Sequence, residues 1–556
     1  MKITIVISSN ENAFNLISEP AFLHQWRDLS ERCPWGTVFQ SPDFVKVWYE
    51  TYRERFIPVI LSKSTPGGQL CGLLTLAINR STGQLVYAGD VYAEYQVWLA
   101  HEDANDAFVS EAFSVLREKW PRKVLMLKYI PPRVRLEVVE QSSWLKGICF
   151  FRPSSRPLIG LDAQQRVDQS LKSKQVKLNR LRKLGAVSFV TIERDEFAEI
   201  FERAWPLYEF RQIEQYDSSP FLRDVDLKRL WVGVAKNSDA LHMSVLKVDE
   251  AIVAWFLGLQ GNGYVHLLSM GYSPFYSRHS PAMLHMLMLA KRLIQEQRVF
   301  DLTPGGSKYK EQLATAHEKT LTLYFIPSLR SAIESKPTRE LAQRAVKRLV
   351  RVAVKNPAQA LASSLRRKPD DAPVSSSPPP APRAPEIRFR LHRLNTVDCA
   401  HHDERLEAVG KNKIADLIRY ESTHAQSLRD FVSEAWRFID QGADVYTLVR
   451  SERLAASCWI VSGEKTASAD LPDSGVPAGT ARLVGFYAHA DEDRGKMINM
   501  FMDKWSSEVT AVAKTADINI GIPETDMFRN MQVFGEDLPK VPIVQKSSMK
   551  TLTANE

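Results

Sequence analysis

Apolar residues in this chain fall in short alternating or continuous blocks, set between longer stretches at helical spacing. That pattern predicts an α/β chain built from several small units. Phe56–Leu61, Leu70–Ile78 and Gln84–Gly89 read as strands, Ala104–Trp120 as a helix and Lys123–Ile130 as a strand. A second series begins near Arg166, with helices at Phe197–Phe210 and Asp224–Lys236 and strands at His242–Val248 and Ile252–Gln260. Asp249-Glu250 marks the hairpin turn between those strands, and Gly261-Asn262-Gly263 marks the next. Tyr264–Met270 then reads as a strand, Pro281 to about Gln297 as a helix and Val299–Leu302 as a strand. A third series has strands at Ile387–Leu391, Val445–Val449, Ala455–Val461 and Ala481–Tyr487, a helix at Arg494–Val512 and a strand at Asp517–Ile522. A short helix near Thr525–Phe534 and a strand near Val541–Gln545 follow.

The 556 residues are too many for one core. Residues 369–385 (PDDAPVSSSPPPAPRAP) hold seven prolines and no aromatic residue, so they read as an extended linker. The expected division is 1–160, 161–335, a basic amphipathic helix at 336–368, the linker at 369–385 and a last domain at 386–556. The basic helix suits an anionic membrane surface or a solvated face packed on its own domain. Net charge is +8, which favours anionic partners: phosphates, acidic glycans, nucleic acid or anionic lipid. Five scattered cysteines argue for a reducing compartment. The N-terminus lacks a signal-peptide cleavage pattern, and no run of about 18 apolar residues reads as a membrane span. The expectation is a cytoplasmic protein, peripheral to the inner membrane at most.

Chemistry concentrates between Tyr264 and Lys310. Ser is favoured at a helix N-cap and Pro at the first helical position. Ser280-Pro281 therefore predicts a helix start directly after a strand, with free N–H groups on Ala282, Met283 and Leu284 able to receive a phosphate. Arg278 and His279 precede it and add positive charge or face solvent. The loop Pro304-Gly305-Gly306-Ser307-Lys308-Tyr309-Lys310 allows close backbone approach but lacks P-loop spacing. Lys308 and Lys310 read as point charges for phosphate or carboxylate, or as solvent-facing lysines. Asp301 reads as the residue that orients this loop, with a catalytic role second. His266 is a candidate base, although a lone His on an apolar strand is commonly a core residue; Glu193, Glu209 and Glu214 are further candidates. Arg166–Lys183, with Lys177 and Arg180, reads as a basic helix gripping an anionic acceptor or as an exposed face. Tyr87, Asp90, Tyr92, Glu94 and Tyr95 form an aromatic–acidic cluster suited to a sugar ring or to a turn with partly buried tyrosines. No His-Glu-x-x-His metal signature and no Gly-x-Ser-x-Gly elbow occurs, and no metal is expected.

Three landmarks carry a resemblance. Phe39-Gln40-Ser41-Pro42-Asp43-Phe44 with Trp48, then Ser280-Pro281-Ala282, then Asp301 through Tyr309-Lys310, resemble the GNAT-fold acyltransferases of the CelD/BcsL type, related to FemAB-like transferases. The resemblance covers roughly residues 20–330, and Ala282 stands where that family usually has Gly. It implies tandem GNAT-like domains with mixed, mostly antiparallel sheets flanked by helices. It further implies acetyl-CoA or another acyl-CoA as cosubstrate, with its pyrophosphate held at residues 278–284. The acceptor would be the amine or hydroxyl of a saccharide or sugar precursor in exopolysaccharide, cellulose or envelope biosynthesis, with association to a polysaccharide synthase. Tyr309 would serve as acid toward the leaving thiolate. Two rivals stand beside it: a FemAB-like aminoacyl transfer from tRNA to a cell-wall precursor, and a non-catalytic GNAT-derived scaffold of a polysaccharide synthase. Nucleic acid other than that tRNA is not expected, because no aromatic residue interleaves the charges of Arg166–Lys183.

Overall fold

The computed structural model describes residues 5–328, 389–395, 408–422, 426–461, 481–513 and 517–523. The expected linker, the basic helix of 336–368 and the elements expected after residue 523 lie outside the described residues. Two compact units emerge: one of residues 5–202, 221–270 and 279–328, the other of 203–220, 271–278 and the described residues from 389 onward.

The first unit holds two sheets. The smaller one orders β1 (Val6–Ser9), β2 (Phe56–Ser64), β3 (Leu70–Asn79) and β4 (Leu85–Tyr87), with β5 (Leu99–Ala100) paired to β3. The larger sheet takes β6 (Leu125–Ile130), β7 (Cys149–Ile159), β8 (Val187–Thr191), β9 (Leu241–Val248), β10 (Ala251–Gly261), β11 (Tyr264–Tyr272), β12 (Val299–Asp301) and β13 (Ala316–Phe325). Its order is β6-β13-β7-β12-β11-β10-β9-β8. Two strands from before residue 160, β6 and β7, thus lie in the second sheet. Neither β7 nor β13 is predicted by the hydrophobic pattern. β7 carries two prolines and two arginines and reads as loop, yet it pairs with β13 from Cys149–Phe325 to Leu158–Ala316.

Four helices of this unit bear on the site: α1 (Gln164–Ser173), α2 (Gln175–Arg182), α3 (Pro281–Gln295) and α4 (Lys308–Leu313). The expected single helix over Arg166–Lys183 is two, broken at Lys174. Lys308, Tyr309 and Lys310, expected in a loop, open α4. The β10–β11 hairpin turns through Asn262 and Gly263, both at positive φ (50° and 79°), the backbone that a tight hairpin of the observed hand requires. Strand alternation then sorts the faces of β11 and β12. Val265, Leu267, Phe300 and Leu302 join Leu289, Ala290 and Leu293 of α3 in one core. His266 and Asp301 take the other face.

In the second unit, β14 (Phe389–Asn395), β15 (Gly410–Lys411), β16 (Asp444–Arg450), β17 (Arg453–Val461), β18 (Ala481–Ala488) and β19 (Asp517–Pro523) order as β14-β19-β18-β17-β16-β15. That order matches β7-β12-β11-β10-β9-β8. The one parallel pair, β18 with β19, falls where β11 pairs with β12, and the helix α5 (Arg494–Ala513) joins it as α3 joins the other. Across the described residues the architecture is mixed α/β, mostly antiparallel and flanked by helices.

Candidate active site

β11 and β12 run parallel over three rungs, Tyr264–Val299, Val265–Phe300 and His266–Asp301, and β12 ends there. The last rung is therefore where the two strands stop sharing hydrogen bonds, and it holds two ionisable side chains. His266 Nδ1 lies 2.7 Å from Asp301 Oδ2. Both side chains are buried, at 1% and 0% exposure. Gly258 on β10 backs this rung, since a Cβ there would stand 2.5 Å from the His266 carbonyl oxygen.

A buried carboxylate is costly unless paired. Burial pushes the Asp301 carboxyl up, but the His266 hydrogen bond and the Arg156 charge outweigh it and hold it well below the usual carboxylate range. Arg156, on β7, donates from Nε (3.0 Å) to Asp301 Oδ2, with Nη2 at 2.9 Å, and from Nη1 to Glu318 (3.1 Å). Its guanidinium lies over the rings of Tyr95 and Tyr264, 4.8 Å from each centroid. With Asp301 ionised, the shared proton belongs to Nδ1. Burial also pulls the His266 pKa down, against the opposing pull of Asp301. The result is a neutral imidazole in one tautomer, with Nε2 as an acceptor.

That Nε2 is buried and has no hydrogen-bond partner. His266 lines a cavity of about 280 Å³ whose other walls come from the 31–37 segment, the Pro131–Arg133 turn, Arg156, Gly261-Asn262, Tyr264 and Glu318. Phe39, Tyr95 and Tyr264 box the imidazole, at centroid distances of 5.5, 5.4 and 5.8 Å. The Phe39-Gln40 part of the opening motif thereby acquires a role. Phe39 packs on His266, and the Gln40 side chain donates to the Tyr95 carbonyl, fixing both walls.

The other expected site residues are placed as follows. Asp301 accepts the Thr303 N–H (2.8 Å), so it does orient the following loop. Lys310 does not project as a free point charge. It is buried, which lowers its pKa, and its ammonium donates to the Thr303 carbonyl (3.1 Å), Thr303 Oγ1 (3.0 Å) and the Pro304 carbonyl (3.4 Å). Thr303 sits at φ 58°, a left-handed backbone that a β-branched residue resists. Asp301 beneath and Lys310 above hold it. Lys310→Met is expected to lower unfolding free energy by about 1–3 kcal/mol, the cost of stranding buried carbonyls. A urea midpoint equal to wild type would show that the ammonium does not hold the loop. Tyr309 is half-buried and Lys308 exposed on the same short helix.

Ser280 departs from the expected N-cap. It adopts φ 52°, ψ 52°, makes no side-chain cap, and its hydroxyl accepts from Lys177 Nζ (2.5 Å). The Leu284 N–H is not free either: it makes the first intrahelical bond, to the Ser280 carbonyl. Helix geometry leaves Ala282 and Met283 as the open donors. Lys177 thus belongs beside the start of α3, away from the 280 Å³ cavity. Arg180 is exposed. Arg278 is exposed and donates to the Asp440 carbonyl, and His279 is half-buried.

The aromatic–acidic cluster presents no sugar platform of its own. The Tyr87 hydroxyl is buried on the Val97 carbonyl, the Tyr92 hydroxyl donates to Asp224, and Glu94 pairs with Lys128. Glu193, Glu209 and Glu214 do not border the cavity. Among the described residues no His, Cys, Asp or Glu group is placed to hold a metal, and no helix is long and apolar enough to cross a membrane. Arg156, Glu318 and Trp35 are among the site residues that sequence reasoning missed. Arg156 lies in the Pro-rich β7, where nothing in the local pattern separates a buried arginine from a loop arginine. In the second unit, the matching rungs are Ala481–Ile520 and Arg482–Gly521. The His–Asp pair is not repeated there.

Residues 171–311 match the family model described as acetyltransferase (GNAT) domain. The chain therefore carries a GNAT acetyltransferase-like domain, and β11, α3, β12 and both members of the His266–Asp301 pair fall within it. No curated protein matches the chain. Solved structures that align with it include FemX, at 9% identity over 58% of this chain and 97% of that one, with a TM-score of 0.38. L-PGS from Bacillus licheniformis aligns at 12% identity over 58% and 95%, TM-score 0.38. The C-terminal domain of a putative lysylphosphatidylglycerol synthetase from Agrobacterium fabrum aligns at 11% over 56% and 93%, TM-score 0.39.

Proposed function

We propose that this chain is an acyl-CoA-dependent acyltransferase, with acetyl as the transferred group and the amine or hydroxyl of a saccharide or sugar precursor as acceptor. Exopolysaccharide or envelope biosynthesis of the CelD/BcsL type is its setting, in the cytoplasm. The observation that carries the reading is the neutral His266, fixed by Asp301, with a buried, unpartnered Nε2, on a residue that lines a cavity.

The start of α3 fits a pyrophosphate. It has two open N–H donors on a fifteen-residue helix, a small half-buried side chain at Ala282, and Lys177 alongside at Ser280. Bound there, acyl-CoA supplies a thioester carbonyl. His266 Nε2 takes the proton from the acceptor. Asp301 holds the tautomer and steadies the imidazolium that forms, and Arg156 holds Asp301. Tyr309 is the proposed acid toward the departing thiolate.

Isothermal titration of the full chain with acetyl-CoA tests the reading. Binding is expected, and Ala282→Asp should weaken it by about tenfold or more, roughly 1.4 kcal/mol, because a carboxylate would face the pyrophosphate. No acetyl-CoA binding by wild type would overturn the reading in favour of an aminoacyl-tRNA donor or a scaffold. Equal affinity in Ala282→Asp would move the site elsewhere.

A further inference from the structure

The basic segment of α1 and α2 carries a face that acyl transfer does not use. From Gln169 to Ala186 the chain holds six cations and no acid. In α2, Leu178 and Leu181 are buried. At about 3.6 residues per turn, the side of the helix opposite those leucines holds Val176, Asn179, Arg180 and Lys183. All four are exposed, whereas Lys177 lies to one side, half-buried, with its ammonium on Ser280. Val176 is 63% exposed on that outward face, and Leu184, one turn beyond Arg180, is 54% exposed. The backbone still turns helically there, because the Leu184 N–H donates to the Leu181 carbonyl.

The cations of this face are not neutralised from within the chain. Among the described residues no acid pairs with Lys172, Arg180 or Lys183. Asp168, the acid just before the segment, is taken by Lys291 (2.8 Å) and Gln164 (2.8 Å). Asp249, at the other end, accepts the Ala186 N–H (2.9 Å). Exposed apolar side chains scattered singly are ordinary. Here a valine and a leucine stand among unpaired cations, and a partner must answer both the charge and the apolar surface.

We propose that the outward face of α2 docks the first unit on an anionic lipid surface. Val176 and Leu184 enter the boundary between headgroups and acyl chains, while Lys172, Arg180 and Lys183 meet lipid phosphates. A nucleic acid would answer the charge but not the two apolar side chains, and no aromatic residue stands among the cations to stack on a base. This face is separate from the 336–368 stretch. Because Lys177 of the same helix touches Ser280, docking sets the start of α3 beside the lipid. Docking of this kind needs no acyl donor, so it stands or falls apart from the acyltransferase reading.

Sedimentation of the full chain with vesicles, either phosphatidylcholine alone or phosphatidylcholine and phosphatidylglycerol in equal parts, tests the docking. The mixed vesicles are expected to bind at least about tenfold more tightly, since two apolar side chains are too few to anchor a protein without charge. Arg180→Glu combined with Lys183→Glu should weaken mixed-vesicle binding by at least about tenfold, because two attractions become repulsions. Val176→Ser combined with Leu184→Ser should weaken it by about threefold or more, through lost apolar burial. All four side chains are exposed, so both double variants should keep the wild-type melting temperature, which separates lost docking from lost folding. Equal binding to the two kinds of vesicle would overturn the inference by denying charge a role. Wild-type vesicle binding in either double variant would overturn it by placing the contact elsewhere in the chain. Transfer RNA bound more tightly than the mixed vesicles, and weakened by the glutamate pair but not by the serine pair, would assign the face to nucleic acid instead.

Discussion

His266→Gln is expected to lower turnover by about 10²–10⁴-fold, the usual contribution of a positioned general base. Glutamine keeps a polar group near Asp301 but cannot take a proton from the acceptor. Acetyl-CoA affinity should stay within about twofold of wild type, because α3 binds on the opposite side of β11 from the imidazole. The wild-type pH profile carries the same signature. Burial lowers the His266 pKa below its ordinary 6.5, so the base is neutral above that lowered value and protonated beneath it. The rate constant kcat/KM should rise with pH through an apparent pKa below 6.5 and then level off. His266→Gln should remove that limb. A variant with wild-type turnover, or one that keeps the acidic limb, would show that the buried histidine is only structural.

Arg156→Met should give the largest loss of stability of any single change at the site, about 3–5 kcal/mol. That is the cost of leaving one member of a buried ion pair uncompensated. The arginine is 5% exposed and the Asp301 side chain 0%, so water cannot replace the lost charge. The sign also fixes a pH dependence. A carboxylate whose folded pKa is depressed stabilises the fold above its unfolded pKa near 4, and that contribution disappears as pH falls through the folded value. Without Arg156 the Asp301 pKa rises, and part of that stability is lost at neutral pH already. The double variant Arg156→Met, Asp301→Asn should regain a good part of the loss, since neither buried charge then remains. Denaturant titrations of the single and the double variant beside wild type check this. A single variant as stable as wild type would mean that His266 and the backbone suffice to hold Asp301.

Much of the site's surroundings was legible because local rules act over short spans. Pro281 marks a helix start wherever it falls, and Gly261-Asn262-Gly263 marks a hairpin. The β10–β11–α3–β12 order followed from those signals and from apolar blocks. The errors were local too. Ser280 was expected to cap α3, but a left-handed backbone and Lys177 take its hydroxyl elsewhere. Lys310 reads from sequence as a point charge for an anion or as a solvent-facing lysine, but a short helix turns it into its own loop.

What the sequence by itself determined is the kind of chain this is: α/β units repeated along its length, a GNAT-like strand–helix–strand core, and a histidine and an aspartate on two of its strands. The tertiary structure alone decided what those two residues are to each other. Parallel pairing across a crossover brings residues 266 and 301 onto one rung, and no periodicity encodes the register of strands so far apart. Arg156 comes from a third strand whose prolines hide it, Phe39 and Tyr95 from the neighbouring sheet's segments, and Glu318 from a fifth place. Burial then sets the charges: desolvation keeps the imidazole neutral, while the carboxylate, held ionised by an arginine that water cannot reach, fixes which ring nitrogen carries the proton.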